Sequence, residues 1–562
     1  MGPGAQKSSR GKNVKYAIAS IAAVVMTVAL ASCVVGGEKE TDAATVVEDF
    51  VTALNNHDVD GAANLTSYPN AARAAISQMF DGLEARSTDF DVAQVIDLGS
   101  DSGFFTLDAA WNFGEGKDWT YQSQGEVRDL SVGWRVSWDP SVIVPGLGSG
   151  STVDYTRTDA APPKVVDATG TLLMNEQTIN AITIDPAATP DPVDTTRRLA
   201  KVIEPVAPLV TSESMLADLA AHPGQPVTAV LLRDPDYLYL ESDFAIPGVV
   251  VVKTPKLIAS DRRINSPLLD PLRTAWQANR DATAGWAVNL VDQNGAAVKQ
   301  AGFQGPPGPD VAATMDSHTQ LAAIEAVVSA GTPAAIVAIR PSDGAILAAA
   351  QNNQAIEQGP IAFTGLRPAG GTLDLVRLAS SMQNGVEPRD VSGDQLADTA
   401  RQLGLGNGFH IPSLEQQTAT FASDGSGGNE SVNNIVANRT STGANEPQVT
   451  PFGMAMLAAS IARGSAPTPM MVFGQPATAD TAASALPADV TDRLRDSMRG
   501  AGGVAGYPDL IAAGAASGGD RWFFGSRGDL AFAVFVADAD GNDRAQQMTE
   551  KLFQELAKPA DK

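Results

Sequence analysis

The first 33 residues constrain the whole of the remaining chain. Lys7, Arg10, Lys12 and Lys15 precede an apolar run over 16–31, no acidic residue interrupts them, and Leu30-Ala31-Ser32 supplies small residues at the end of the run. A basic stretch, an apolar core and a small-residue end are the parts of an export signal. The alternative is an uncleaved anchor, because about 20 apolar residues can span a bilayer. Either way, the remainder is expected to fold outside the cytoplasmic membrane. Cys33 is the only cysteine, so no disulfide can staple the exported part, and its cores must be held by packing alone.

The chain has 562 residues, of which 44% are hydrophobic and 18% charged. At about 150 residues per domain this is material for three or four cores. A formal net charge of -25 leaves no basic stripe to meet phosphates, which excludes a nucleic-acid function. It also disfavours contact with anionic lipid heads. The histidines are His57, His222, His318 and His410, and none is spaced as a ligand pair, so neither a metal nor a cofactor is expected.

Leu30-Ala31-Ser32-Cys33 resembles a bacterial lipobox. The resemblance implies that the Cys33 thiol receives a diacylglyceryl group, that fatty acyl chains such as palmitate anchor the protein, and that it faces the cell wall. Two such chains hold firmly where one is marginal.

Beyond the leader, apolar residues at helical spacing (Val46, Val47, Phe50, Val51, Leu54) predict a helix over 44–55, and a second is expected over 70–85. Strand-like segments come next, with Trp111, Trp119, Trp134 and Trp138 close together. Helices first and a curled sheet after predict an α+β cone whose aromatic residues are mostly core. The segments Thr45-Val-Val-Glu-Asp-Phe50 and Trp134-Arg-Val-Ser-Trp-Asp-Pro140 resemble the nuclear-transport-factor-two-like head of certain class B penicillin-binding proteins. Gly146 to Ser151 reads as a first linker.

From 152 to about 310, strands over 170–173, 179–184, 227–232 and 249–252 alternate with a helix over 195–204 that carries Arg197, Arg198 and Lys201. Gly170-Thr-Leu-Leu-Met174 and Ile246-Pro-Gly248 are similar to the mixed pedestal of the same family, although Lys164-Val-Val-Asp-Ala-Thr-Gly170 replaces its arginine-glycine turn. Gly302-Phe-Gln-Gly-Pro-Pro-Gly308 is read as a second linker, too short for a collagen helix. In the last part, Ala334-Ala-Ile-Val-Ala-Ile339, the turn Pro341-Ser-Asp-Gly344 and Ala345-Ile-Leu-Ala348 make a hairpin. Arg521-Trp-Phe-Phe-Gly525 with Leu530-Ala-Phe-Ala-Val-Phe-Val536 makes another, and an amphipathic helix is expected over 545–556. With Thr442-Gly-Ala-Asn445 and 449–464, these resemble the penicillin-binding transpeptidase domain, helices around a five-stranded antiparallel sheet. The expected organisation is a signal peptide at 1–33, a cone-shaped α+β head at 34–149, a pedestal or dimerisation-like domain at 150–310 and a transpeptidase-like domain at 311–562. Alanine-rich, acidic composition and this domain order resemble actinobacterial lipoproteins.

The family's reaction needs a serine with a lysine one helical turn later, a Ser-x-Asn on a facing loop, and Lys-Thr-Gly on the strand that holds the peptide. The first lysine takes the serine proton, backbone N–H groups hold the oxyanion, and the strand lysine meets the substrate carboxylate. Pro368-Ala-Gly-Gly-Thr-Leu-Asp374 stands at the first motif, with Gly371 on the serine and Asp374 on the lysine. Ala515 or Ala516 stands on the strand lysine, with Ser517 and Gly518 as remnants of the threonine and glycine. No lysine occurs between Lys299 and Lys551, so no shift of register supplies either motif. Ser380 and Ser381 lack a base three residues on and read as packing or surface residues. The loop for the middle motif is deleted between Ser381 and Leu396, and Ser431-Val-Asn433 lies too far along the chain to replace it.

Loss of one member of a coupled catalytic set already removes most of a rate. The favoured expectation is therefore a catalytically inactive, penicillin-binding-protein-like lipoprotein of peptidoglycan synthesis, a scaffold or regulator for cell-wall enzymes. Two alternatives stay open: an active D,D-transpeptidase or β-lactam acceptor, and a cell-wall peptide binder with Asp374 and Arg377 as contacts.

Overall fold

The computed structural model describes residues 42–99, 101–421, 446–482, 484–501, 504 and 506–560. Its contacts divide the chain into two units, one running to Asp154 with Leu290–Ala297, the other comprising Tyr155–Asn289 and Val298–Lys562.

In the first unit, Val46, Val47, Phe50, Val51 and Leu54 form the buried stripe of helix Asp42–Asn55. Helix Pro69–Leu83 starts on a proline, which needs no hydrogen-bond partner in a first turn, and ends at Glu84 in a left-handed conformation. Strands Ser87–Asp97, Ser102–Asn112, Asp118–Leu130 and Gly133–Val136 then pair in sequence order, all antiparallel. Aromatic rings fill the inner face: Trp111 and Trp119 are buried, and Trp119 lies 4.5 Å from Tyr121 between ring centroids. The Trp111 indole N–H donates to the Tyr121 hydroxyl (3.2 Å), which donates to the Ile143 carbonyl (2.6 Å). Burial holds the Tyr121 phenol well above its ordinary pKa, so it stays a donor. Trp134 and Trp138 are only half-buried. The run Gly146 to Ser151 is packed rather than free, since a Cβ on Gly146 would meet Leu290 at 3.5 Å and the Ser149 carbonyl accepts from Gln293.

In the second unit, the strands expected over 170–173 and 179–184 are one strand, Leu172–Ile184, flanked by Val227–Arg233 and Val249–Ala259. The polar residues between them do not break it because they find partners: Glu176 accepts from Arg280 (2.8 Å) and Gln177 donates to Asn175 (2.9 Å). Helices Pro192–Ile203, Ser212–Ala221 and Asp234–Leu240 contribute to the core on one face of this sheet. Before the long strand, Asp167 accepts from the backbone N–H groups of Thr169 (2.9 Å), Thr171 (2.9 Å) and Ser317 (3.3 Å). Burial alone would raise its pKa, but these donors outweigh it and hold the carboxyl below its ordinary value. Gly302 to Gly308 is not an open linker. Gly302 lies within strand Ala297–Phe303, and a Cβ on Gly305 would sit 2.5 Å from the Thr283 carbonyl oxygen, so glycine is there for close approach.

A five-stranded antiparallel sheet dominates this unit, in the spatial order Ile346–Gln351, Ala334–Ile339, Leu530–Val536, Asp520–Arg527 and Ile511–Ser517. Strand Ala334–Ile339 is apolar at every position because both faces are covered. Ala335, Val337 and Ile339 join one core with helices Asp374–Asn384 and Pro451–Arg463, whereas Ala334, Ile336 and Ala338 join another with helices Ser317–Val327 and Arg544–Leu556. Helix Pro451–Arg463 is bounded by Thr450, whose hydroxyl accepts from the Gly453 N–H, and by left-handed Gly464. The outer strand Ile346–Gln351 is tied down by buried Gln320, which donates to the Ala349 carbonyl and accepts from its N–H.

One glycine tests the aromatic interior of the first unit. A Cβ on Gly125 would lie inside the van der Waals envelope of the buried Phe105 ring. Gly125→Ala should therefore lower stability by about 1–3 kcal/mol, read as a lower melting temperature with near-ultraviolet circular dichroism reporting the loosened rings.

Candidate functional site

The sheet leaves Ile511–Ser517 as an outer strand, and the start of the helix at Asp374 lies against it. Arg367–Pro368 pairs with Gln448–Val449, Gly370 turns left-handed (φ +49°), a short 3-10 turn covers Gly370–Leu373, and the α-helix runs Asp374–Asn384. A Cβ on Gly370 would stand 2.7 Å from the Ser517 Cβ and 2.8 Å from the Ala516 carbonyl oxygen. Only glycine permits both this φ and this approach. At Gly371 a Cβ would meet Asp374 Oδ2 at 3.6 Å, the Ala516 carbonyl oxygen at 3.8 Å and the Ala515 Cβ at 4.0 Å, which are ordinary contacts.

The structure thus brings Gly371, Asp374, Ala515, Ala516 and Ser517 together from two segments remote in sequence. Strand alternation separates the two alanines. Ile511, Ala513 and Ala515 pack against the same core as Leu373 and Val376, whereas Ala512 joins the core on the opposite face. Ala515 is the residue whose side chain faces the helix, and Ala516 turns its side chain away.

The polar groups here are few. Asp374 and Arg377 pair with each other at 3.1 Å, one turn apart, with side chains 72% and 40% exposed. A pair of this kind contributes about 0–1 kcal/mol, and Asp374 also suits the positive end of the helix dipole. Ser380 and Ser381 are packing residues: the first donates to the Gln395 carbonyl (3.0 Å), the second to that of Val386 (2.5 Å). These bonds fasten the helix end to the connection beyond it and to the following helix Gly393–Gln402. Cys33, Thr442 to Asn445 and the Ser431-Val-Asn433 string lie outside the described residues. Among the described residues, no group of three or more His, Cys, Asp or Glu is arranged to hold a metal.

Three further groups beside these segments were not foreseen from sequence. The Thr372 hydroxyl and the Trp522 indole N–H are buried without a hydrogen-bond partner among the described residues. Asp520, across the hairpin from Ser517, is 9% exposed, and burial raises its pKa, only partly offset by the charge of Arg367. Ser517-Gly-Gly-Asp520 reads as a polar turn, so nothing local signals that the carboxyl is buried.

Comparison with known families places the first unit. Residues 42–151 match the family model of an NTF2-like N-terminal transpeptidase domain. The match covers about a fifth of the chain and links it to transpeptidase-like proteins through a mixed α+β head. No curated protein matches the sequence.

Two substitutions probe this region. Thr372→Val removes a buried hydroxyl that gains nothing from the fold, so stability should stay level or rise by about 1 kcal/mol, measured by denaturant titration. For Asp520 the folded pKa is raised, so the stability associated with its neutral form is present below the ordinary carboxylate range and is lost as pH rises through the raised value. Asp520→Asn should therefore gain in melting temperature over the natural chain as pH rises above the ordinary carboxylate range, and a difference independent of pH would refute the assignment.

Proposed function

We propose that the protein is a penicillin-binding-protein-like lipoprotein of cell-wall synthesis whose transpeptidase-like region is catalytically silent, and that it acts as a scaffold or regulator for active enzymes. One observation carries this reading. The segments that resemble the serine-lysine helix and the lysine strand lie side by side, yet Gly371, Asp374 and Ala515 stand where a nucleophile, its base and a carboxylate-binding cation are required. Glycine has no nucleophile, and the Asp374 carboxylate is engaged by Arg377. The absence of lysine between Lys299 and Lys551 leaves no substitute for either amine. The sheet with helices on both faces, the long-stranded region before it and the NTF2-like head together favour this family over an unrelated architecture.

The location belongs to the same proposal. No helix among the described residues is long and apolar enough to cross a membrane; attachment is proposed through acyl chains on Cys33 at the extracytoplasmic face. Replacing Cys33 by Ala should abolish incorporation of an alkyne-tagged palmitate, read by gel fluorescence after coupling to a dye.

The central test is acylation. The full-length chain incubated with a fluorescent penicillin beside an active homologue should show no covalent label by gel and no added mass. A time-dependent mass increase of one drug molecule would overturn catalytic silence and identify the reactive residue.

A further inference from the structure

The outer face of the head's four-stranded sheet is divided along its length. At one end Ile96 and Phe104 are direct cross-strand partners, both exposed, and Leu98 lies beyond them on the same hairpin. The adjoining hairpin, joined to the first by the Asp129 N–H to Asp101 carbonyl bond, adds Leu130 and Val132. These five side chains are 39–66% exposed, which supplies the apolar part of a candidate contact surface.

Charge on the rest of that face selects the occupant. Asp91 stands directly opposite Asp108, with Asp89 two residues back on the same strand face. A depression of about 360 Å³ there is lined by these carboxylates and by no lysine or arginine. Like charges opposed across strands are destabilising, and a Gln122 amide, donating to Asp108 at 2.8 Å, softens the pair. At the apolar end, Arg128 is bound in two-point contact to Glu126, so it does not serve the carboxylates. A second copy of this chain is a poor fit in either sense. Laid parallel it would oppose carboxylates to carboxylates, and laid antiparallel it would press them on the apolar end. An anionic lipid surface is repelled.

We infer that the outer sheet face of the head docks a protein partner that presents lysine or arginine side chains beside an apolar patch. This deepens the scaffold reading by naming the chemistry of the partner, and it fails separately from that reading: a penicillin adduct would overturn catalytic silence and leave the docking face intact.

A photo-crosslinking residue in place of exposed Gln124, which shares this face, tests it in the full-length protein in native membranes. The expected result is one protein adduct, mapped by mass spectrometry to a partner peptide containing lysine or arginine. The adduct should fall at least about tenfold with Phe104→Glu, with raised salt, and with Asp91→Lys. Because Asp91→Lys places a cation opposite Asp108, it should raise the melting temperature while abolishing the adduct, a combination that misfolding cannot produce. Absence of an adduct, an adduct with lipid or with a second copy, or an adduct indifferent to these changes would overturn the proposal.

Discussion

The structure of the larger unit depends on strand Ala334–Ile339 being apolar on both faces. A strand at the middle of two cores must satisfy each alternate side chain separately, and here small and branched residues do so without a polar atom among them. Its neighbours Ile346–Gln351 and Leu530–Val536 inherit the requirement, and so do the helices above and below. Burial on this scale supplies about 25 cal/mol per Å² of apolar surface. Without disulfides, this two-sided packing is what fixes the position of the outer strand Ile511–Ser517 and of the helix start beside it.

Elements with a strong local signal were legible in the sequence. The continuous apolar run 334–339, the turn Pro341 to Gly344 and the helical spacing of Val46, Phe50 and Leu54 each reflect a single environment along the whole element. The failures have a common cause, which is that contacts remote in sequence decide the outcome. Asn175 to Gln177 look like a break until Arg280 and the strand Val249–Ala259 are set beside them. The glycines of 302–308 look like slack, yet Gly305 is there because another stretch of backbone passes within contact distance.

The candidate site divides in the same way. That lysine is missing from the region could be read without any alignment, because a count over 300–550 does not depend on register. Which alanine faces the helix could not, since it depends on strand alternation relative to two cores. The buried state of Asp520 and the unpartnered hydroxyl of Thr372 were equally hidden, because neither residue type nor spacing reports burial at a hairpin end.

The geometry also bears on how chemistry can vanish while a fold persists. Leu373, Leu375, Val376 and Ala379 on the helix, with Ala513 and Trp522 on the strands, belong to the core that holds the sheet. The residues that would carry a reaction, at 371, 374 and 515, lie at the margin of that core and contribute little burial. On the proposed reading, exchanging a serine or lysine there for glycine, aspartate or alanine costs little packing. On that reading stability places little penalty on losing the reactive groups, whereas moving the helix would disrupt the core it shares with the sheet and moving the strand would disrupt both cores. Selection for a surface elsewhere, such as the divided face of the head, would preserve the scaffold and leave the cleft to drift.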